Sequence, residues 1–304
     1  MINLAKEKRT LRIFLKKNGT AYLCLFPYMI IFTTFTILPV AVSIFFSFTH
    51  YNVIQPPQWI GFQNYINMFT VDPIFIKVLV NTLIFAVILG PGGYIAALVL
   101  AWMLNELPAK IRSVVTVVFY APSISGAAYT VWKIIFSGDE LGYLNGFLLN
   151  AGLISDPIQW TTDTDYMKFV VIVVALWMSL GTGFLSFIAG LQTIDKGLYE
   201  AGMIDGIKNR WQELWFITLP SMKSQLLFGA VMSITSSFTI SEPITNMIGF
   251  PTTDDEATTV IMHLMDYGTN RFDMGYACAI TVLLFITMLY VNKLIQNLLG
   301  RLGK

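Results

Sequence analysis

The sequence predicts an all-α polytopic membrane protein of six transmembrane helices. Three observations carry this. Hydrophobic residues make up 55% of the 304-residue chain and charged residues only 12%. The apolar residues fall in blocks, each about as long as the roughly 20 residues that cross a hydrocarbon core. The basic residues collect in alternate loops. Length alone would accommodate two soluble domains, but the strongly positive mean hydropathy excludes them. The expected organisation is a short N-terminal segment, 1–20, followed by one membrane domain, 21–304.

The first block, 21–48, follows a basic segment as a signal peptide would. It is too long for one and has no A-x-A-like cleavage site near its end, so it is expected to remain as the first span. Further spans are expected at 75–104, 112–136, 168–191, 223–245 and 275–298. Backbone groups inside a bilayer must bond internally, which makes these segments helices. Several carry breakers: Pro39, the run Gly90, Pro91, Gly92, Gly93, then Pro122, and the pair Gly181 and Gly183. These read first as kinks and close packing; unwound substrate-contact points are the alternative.

Of the 19 Lys and Arg residues, only Lys77, Lys133, Lys168 and Arg271 fall at span edges or in the loops 49–74, 137–167 and 242–274. The others occupy the N-terminal segment (Lys6, Lys8, Arg9, Arg12, Lys16, Lys17), the second-to-third loop (Lys110, Arg112), the region around the fourth-to-fifth loop (Lys196, Lys208, Arg210, Lys223) and the C-terminal end (Lys293, Arg301, Lys304). The positive-inside rule then puts both termini in the cytoplasm of a bacterial cell and requires an even number of spans. The opposite loops hold most of the acids, among them Asp139, Asp156, Asp163, Asp254, Asp255 and Glu256. They either cap the bundle or receive a soluble partner. A net charge of +1 gives no reason to expect a nucleic-acid partner. Cys24 and Cys278 lie near opposite faces in this topology and read as packing residues. His50 and His263 have no ligand spacing, so no metal site is expected.

The loop at 193–222 reads as helix, bend, helix. Asp195 can cap the first helix and Gly206 can end it. Asn209 with Gln212 makes a capping box for the second, and Pro220 stops it before the fifth span. Ile204, Ile207, Leu214 and Trp215 would then need a surface to bury against, and docking a helix into a groove of a cytoplasmic protein provides one.

These residues resemble the permease subunits of binding-protein-dependent ABC importers, whose cytoplasmic signature is Glu-Ala-Ala, Gly three residues on, then Ile-x-Leu-Pro. The signature stands here as Glu200, Ala201, Gly202, Gly206, Ile217, Leu219, Pro220. Gly202 replaces the second Ala, and one extra residue separates Gly206 from Ile217; that residue is expected in the bend. Ile204-Asp205-Gly206, Trp211-Gln212, Phe26-Pro27-Tyr28 and Gly61-Phe62-Gln63-Asn64-Tyr65 look like the carbohydrate branch, the maltose and glycerol-phosphate type of sugar permease. The resemblance implies a type I importer transmembrane domain with a cytoplasmic coupling helix. It implies a heterodimer with a second homologous permease, two ATP-binding subunits at the cytoplasmic face and an extracytoplasmic sugar-binding protein. It implies further that Glu200, Ala201 and Gly206 shape the coupling helix, that Asp205 and Arg210 pair with the ATPase, and that Leu219-Pro220 sets the exit into the fifth span. The chain has no G-x-x-x-x-G-K-[ST] phosphate loop. It is therefore expected to bind no cofactor itself and to leave ATP and Mg to partner subunits, making it a transport subunit rather than an enzyme.

No acidic or basic residue sits well inside any expected span. This argues against a proton relay and suits a neutral substrate. Ser233, Ser236, Ser237, Ile240 and Ser241 recur at helical spacing and share a face. Trp177, Ser179 and Thr182 add hydroxyls and an aromatic plane, with Asn81 and Trp132 as further pathway residues on the same logic. The competing reading of these hydroxyls is helix packing. A sugar importer permease working by alternating access fits best. A permease for peptides or amino acids, and a self-sufficient carrier or channel, are the alternatives.

Overall fold

The computed structural model describes residues 19, 20 and 22–299. The basic residues of the N-terminal segment, Lys6 to Lys17, lie outside the described residues, as do Arg301 and Lys304.

Helix α1, Tyr22–Phe46, is the first span. Pro39 has no N–H to give to Phe35, and a π-turn over Thr33–Ile37 precedes it, with the Leu38 amide reaching back to Thr33. A two-stranded hairpin follows, β1 (Thr49–His50) antiparallel to β2 (Gln58–Trp59), and then α2, Gln63–Thr70. The Gly-Phe-Gln-Asn-Tyr motif ties these pieces together. Buried Asn64 donates to Ser47 O and Thr49 O, both at 2.9 Å, and Tyr65 donates to Ser47 Oγ at 2.9 Å.

Helix α3, Phe75–Asn105, is the central span and runs through Pro91 without a break. It packs on every long helix that follows except the last. Its glycines allow that approach: a Cβ on Gly93 would lie 3.0 Å from Ser179 Cβ, and one on Gly90 3.3 Å from Ser237 Oγ. Small residues let membrane helices close on one another in this way, so the packing reading of Gly90–Gly93 holds.

The third expected span, 112–136, is not one helix. Helix α4 (Ala109–Tyr120) ends in a 3-10 turn at Ala121–Ser123, and α5 (Ala128–Ile135) leaves at 75°. Pro122 cannot donate to Val118, and only an isolated turn, with Ile124 N and Ser125 N both reaching Ala121 O, intervenes before helix resumes at Ala128. Helix α6, Tyr143–Asn150, lies in the next loop. The fourth span is α7 (Thr164–Met178) and α8 (Thr182–Thr193), interrupted at 179–181. After the loop at 193–222 comes α11, Lys223–Phe238. The expected span 223–245 also divides here: 239–241 is not helical, and α12 (Glu242–Met247) restarts with Pro243 in its first turn. A continuous helix would need Pro243 to donate to Thr239, and it has no N–H. Helices α13 (Val260–Met265) and α14 (Met274–Leu299) are the last described, α14 packing on α11 and on the C-terminal end of α1. Among the described residues, four helices are long and apolar enough to span a membrane and the bent α4–α5 pair makes a fifth; the fifth expected span is the shorter α11.

The loops segregate to two ends. At one, Arg210 pairs with Glu106 at 2.9 Å and Trp102 packs against Trp211. At the other, Lys77 reaches Glu256 at 2.7 Å, Lys168 also pairs with Glu256, and Asp72 meets His263 at 2.7 Å.

Candidate functional site

Three helix interruptions, at 121–127, 179–181 and 239–241, converge on one cavity of about 500 Å³. Its lining takes Ser123 and Ser125 from the first, Ser179 from the second and Thr239 and Ser241 from the third, with Tyr129, Thr182 and Glu242 from the first turns of the helices that follow them. Ser233, Ser236 and Ser237 add one face of α11, and Gly93 and Tyr94 come from α3. Irregular backbone at membrane depth persists where it borders a water-filled cavity, because the carbonyls and amides freed from the helix need partners there.

Of the pathway residues expected from sequence, Ser179, Thr182, Ser233, Ser236 and Ser237 line the cavity. Trp177, Trp132 and Asn81 do not. Trp177 is exposed on another face and meets Trp132 edge-on at 6.0 Å, while Trp132 stacks on Phe136. Asn81 is 2% exposed and donates to the carbonyls of Asp255 and Thr258 at 3.0 and 3.1 Å, fastening the 249–259 loop to α3. The packing role expected of small hydroxyls is also present: Ser233 Oγ donates across to Gly90 O at 2.6 Å. Sequence reasoning missed Tyr94, Tyr129, Ser123, Ser125, Thr239 and Glu242. The available signals were Pro122 and Pro243, each a point where a span comes apart. Glu242 also qualifies the expectation of an uncharged interior, since it puts one acidic residue on the cavity wall.

The loop at 193–222 joins α8 to α11, two helices that line this cavity. Helix α9, Lys196–Ile204, is capped by Asp195, whose carboxylate accepts from Gly197 N at 3.0 Å. It ends in a Schellman arrangement: Ile207 N reaches Gly202 O at 2.9 Å, Gly206 N reaches Met203 O at 3.3 Å, and Gly206 takes φ +94°. Asn209 caps α10, Arg210–Glu213, accepting from Gln212 N at 2.9 Å, while the Gln212 side chain reaches back to Lys208 N.

A π-turn at Leu214–Thr218 continues α10. A π-turn holds one residue more than the α-helical turn it replaces. The extra residue therefore sits inside the second helix, immediately around Ile217, rather than in the bend. Gly202, the other departure, packs there too: a Cβ at 202 would lie 2.6 Å from Ile217 Cδ1. Both departures meet at one contact.

Glu200, Ala201, Asp205 and Pro220 are exposed, and Leu219 is half-buried. Ile204, at 87% exposure, and Trp215, at 63%, project with Met203, Trp211 and Phe216 as an apolar surface; Ile207 and Leu214 are half-buried. Arg210 is engaged within the chain, bonded to Glu213 at 2.8 Å and to Glu106 at 2.9 Å. Hydrogen bonding to Glu213 and the charge of Glu106 hold its guanidinium further above its ordinary value.

At the opposite end, burial alone would raise the Asp72 carboxyl. Hydrogen bonds from Tyr276 and His263 and from the Ile74 amide outweigh it and hold Asp72 below the usual carboxylate range. Lys168 and Lys77 likewise hold Glu256 low. No cluster of metal-ligating side chains occurs among the described residues.

Residues 90–302 match the family model described as the binding-protein-dependent transport system inner membrane component. A probable ABC transporter permease of Bacillus subtilis, YesP, is 33% identical over 94% of each chain. The lactose transport system permease LacF of Rhizobium radiobacter is 32% identical over 72% of this chain and 73% of its own. The arabinooligosaccharides transport system permease AraP of Bacillus subtilis is 28% identical over 97% and 93%. In fold, the chain is similar to a bacterial ABC transporter involved in import of the acidic polysaccharide alginate, with a TM-score of 0.77 and 23% identity over 97% of this chain and all of that one.

Proposed function

The chain belongs to the family of binding-protein-dependent transport system inner membrane components, and from that premise we propose that it is the permease subunit of an ATP-driven importer of sugars or oligosaccharides. The observation that carries the reading is the convergence of three helix interruptions on a hydroxyl-lined cavity. Broken helices that meet around a cavity are how transporters present polar backbone and side-chain groups to a solute at membrane depth. Relatives with named sugar substrates, lactose and arabinooligosaccharides, support the substrate class.

The proposed assembly contains a second homologous permease, two ATP-binding subunits at the cytoplasmic face and an extracytoplasmic sugar-binding protein, all within a bacterial inner membrane with both termini cytoplasmic. A structural neighbour in complex with a pentasaccharide-bound periplasmic protein supports the last of these partners. ATP and Mg belong to the partner subunits, and this chain holds no cofactor.

The mechanism is alternating access. The docking loop offers Ile204, Met203, Trp211 and Trp215 to a groove on the ATPase. Its two ends continue directly into α8 and α11, so displacement of α9 and α10 moves both walls of the cavity. Arg210–Glu106 ties the same loop to the inner end of α3. Three helices therefore move with the loop while ATP closes the partner subunits.

The test is uptake into proteoliposomes holding the whole importer, with neutral oligosaccharides, a peptide and an amino acid offered in turn. Saccharide uptake that depends on ATP, and is blocked by the cavity-filling Ser236→Leu with the complex still assembled, supports the reading. Uptake of peptide or amino acid without saccharide overturns it.

A further inference from the structure

Glu242 is the sole formally charged residue on the cavity wall among the described residues; no Lys, Arg or His lines the cavity, and none forms an ion pair with Glu242. It stands in the first turn of α12, where Asn246 Nδ2 donates to its backbone carbonyl at 2.9 Å.

Five of the serines that line the cavity are oriented in one sense. Ser179 donates to Leu176 O at 2.6 Å, Ser233 to Gly90 O at 2.6 Å, Ser236 to Met232 O at 2.9 Å, Ser237 to Ile234 O at 2.9 Å and Ser123 to Tyr120 O at 2.7 Å. A hydroxyl has one proton and two lone pairs. With the protons spent on backbone carbonyls, these oxygens can only accept from a bound molecule. The wall is therefore rich in acceptors, and the carboxylate of Glu242 is the strongest of them.

We propose that Glu242 determines specificity in this cavity, selecting uncharged saccharides and rejecting those that carry a uronate. The inference rests on the sugar-import reading above and narrows it. A neutral sugar brings hydroxyl protons to an acceptor-rich wall, and two adjacent hydroxyls match the two oxygens of a carboxylate. An ionised uronate is an acceptor only. It meets a like charge at Glu242 and, at these five serines, hydroxyls whose protons are already given to backbone carbonyls. Rejection of this kind, by an unmatched acceptor and a repelling charge, separates ligands that differ little in size.

The test is direct titration of the assembled importer in lipid nanodiscs, with the binding protein omitted so that its own selectivity is not read. The probes are a neutral trisaccharide and its analogue bearing one terminal uronate. The wild type should bind the neutral sugar about tenfold or more tightly, the scale of like-charge repulsion at intermediate dielectric. Glu242→Gln keeps the shape and removes the charge, and should bring the two affinities to within about threefold. Glu242→Asp keeps the charge and should preserve the preference. Equal affinities in the wild type, or an unchanged ratio in Glu242→Gln with the neutral sugar still bound, overturns the assignment and leaves sugar import standing. If no saccharide binds the wild type and none is taken up, the import reading falls and this inference with it.

Discussion

Gly202 and Ile217 lie so close that a single methyl group on Gly202 would come within 2.6 Å of Ile217 Cδ1. The contact locks the two arms of the docking loop together, α9 to the π-turn that follows α10. Gly202→Ala must push Ile217 aside and should cost about 1 kcal/mol, the low end of overpacking. Ile217→Val removes the clashing methyl, so the double variant should recover most of that loss. Thermal unfolding of the detergent-solubilised complex measures both. Equal destabilisation in the single and double variants would remove this contact from the account.

The caps of the loop act through local geometry. Gly206 at φ +94° holds a conformation that costs an L-residue roughly 1–2 kcal/mol, so Gly206→Ala should destabilise by that amount. Asn209→Ala, which leaves Gln212 N without its cap, should cost about 1 kcal/mol. Both should lower ATPase docking, read as retention of the ATP-binding subunits on affinity-purified permease. Unaltered retention would show that the loop's shape does not set docking.

Small residues set the approach of α3 to its neighbours. Gly93→Leu places its Cβ against Ser179, 3.0 Å away, and should prevent assembly or lower Tm sharply. Ser233→Ala loses only the hydrogen bond to Gly90 O and should cost about 0.6 kcal/mol, the average for such bonds in membranes. Comparison of the two Tm values separates the packing contribution from the hydrogen-bond contribution.

Asp72 sets a pH dependence with a definite sign. Its carboxyl is held below the usual range, so the stability it contributes is fully present above an ordinary carboxylate pKa of about 3.9 and is lost as pH falls through the lower folded-state value. Asp72→Asn should cost about 2 kcal/mol near neutral pH, the scale of hydrogen bonds to a charged group, and should flatten the loss of stability below about pH 4. Unfolding curves from pH 7 down to pH 3 test this. A variant that loses stability on acidification as steeply as the wild type would place the acid sensitivity elsewhere, with Glu256 the next group to examine.

The residues also differ in how much of their role the sequence discloses. The docking loop was readable because its determinants are local: Asp195, Gly206, Asn209 and Gln212 each act within four residues along the chain. The helix interruptions were not. Pro91, Pro122 and Pro243 look alike in sequence, yet α3 continues through Pro91, where packing from three helices holds it, while the chain comes apart at Pro122 and Pro243. Tertiary contacts decide between a kink and a break. Asn81 was misread for the same reason: its acceptors, Asp255 O and Thr258 O, lie 174 and 177 residues further on, beyond any local pattern. The place of Ser179, Thr182 and the α11 serines on one cavity wall was legible because a helical repeat puts them on one face, while that of Glu242 was not, because the segment holding it was read as the tail of a continuous span.

The measurement that tests the central claim most directly is ATP hydrolysis by the importer reconstituted in lipid, with and without sugar-loaded binding protein, in the wild type and in Gly206→Pro. Pro at 206 cannot take the positive φ found there, so the loop that links α8 and α11 to the ATPase loses its shape while the cavity is untouched. The account predicts stimulation by loaded binding protein in the wild type and none in the variant, with the membrane complex still assembled. Equal stimulation in both would contradict a docking loop that couples the cavity to ATP.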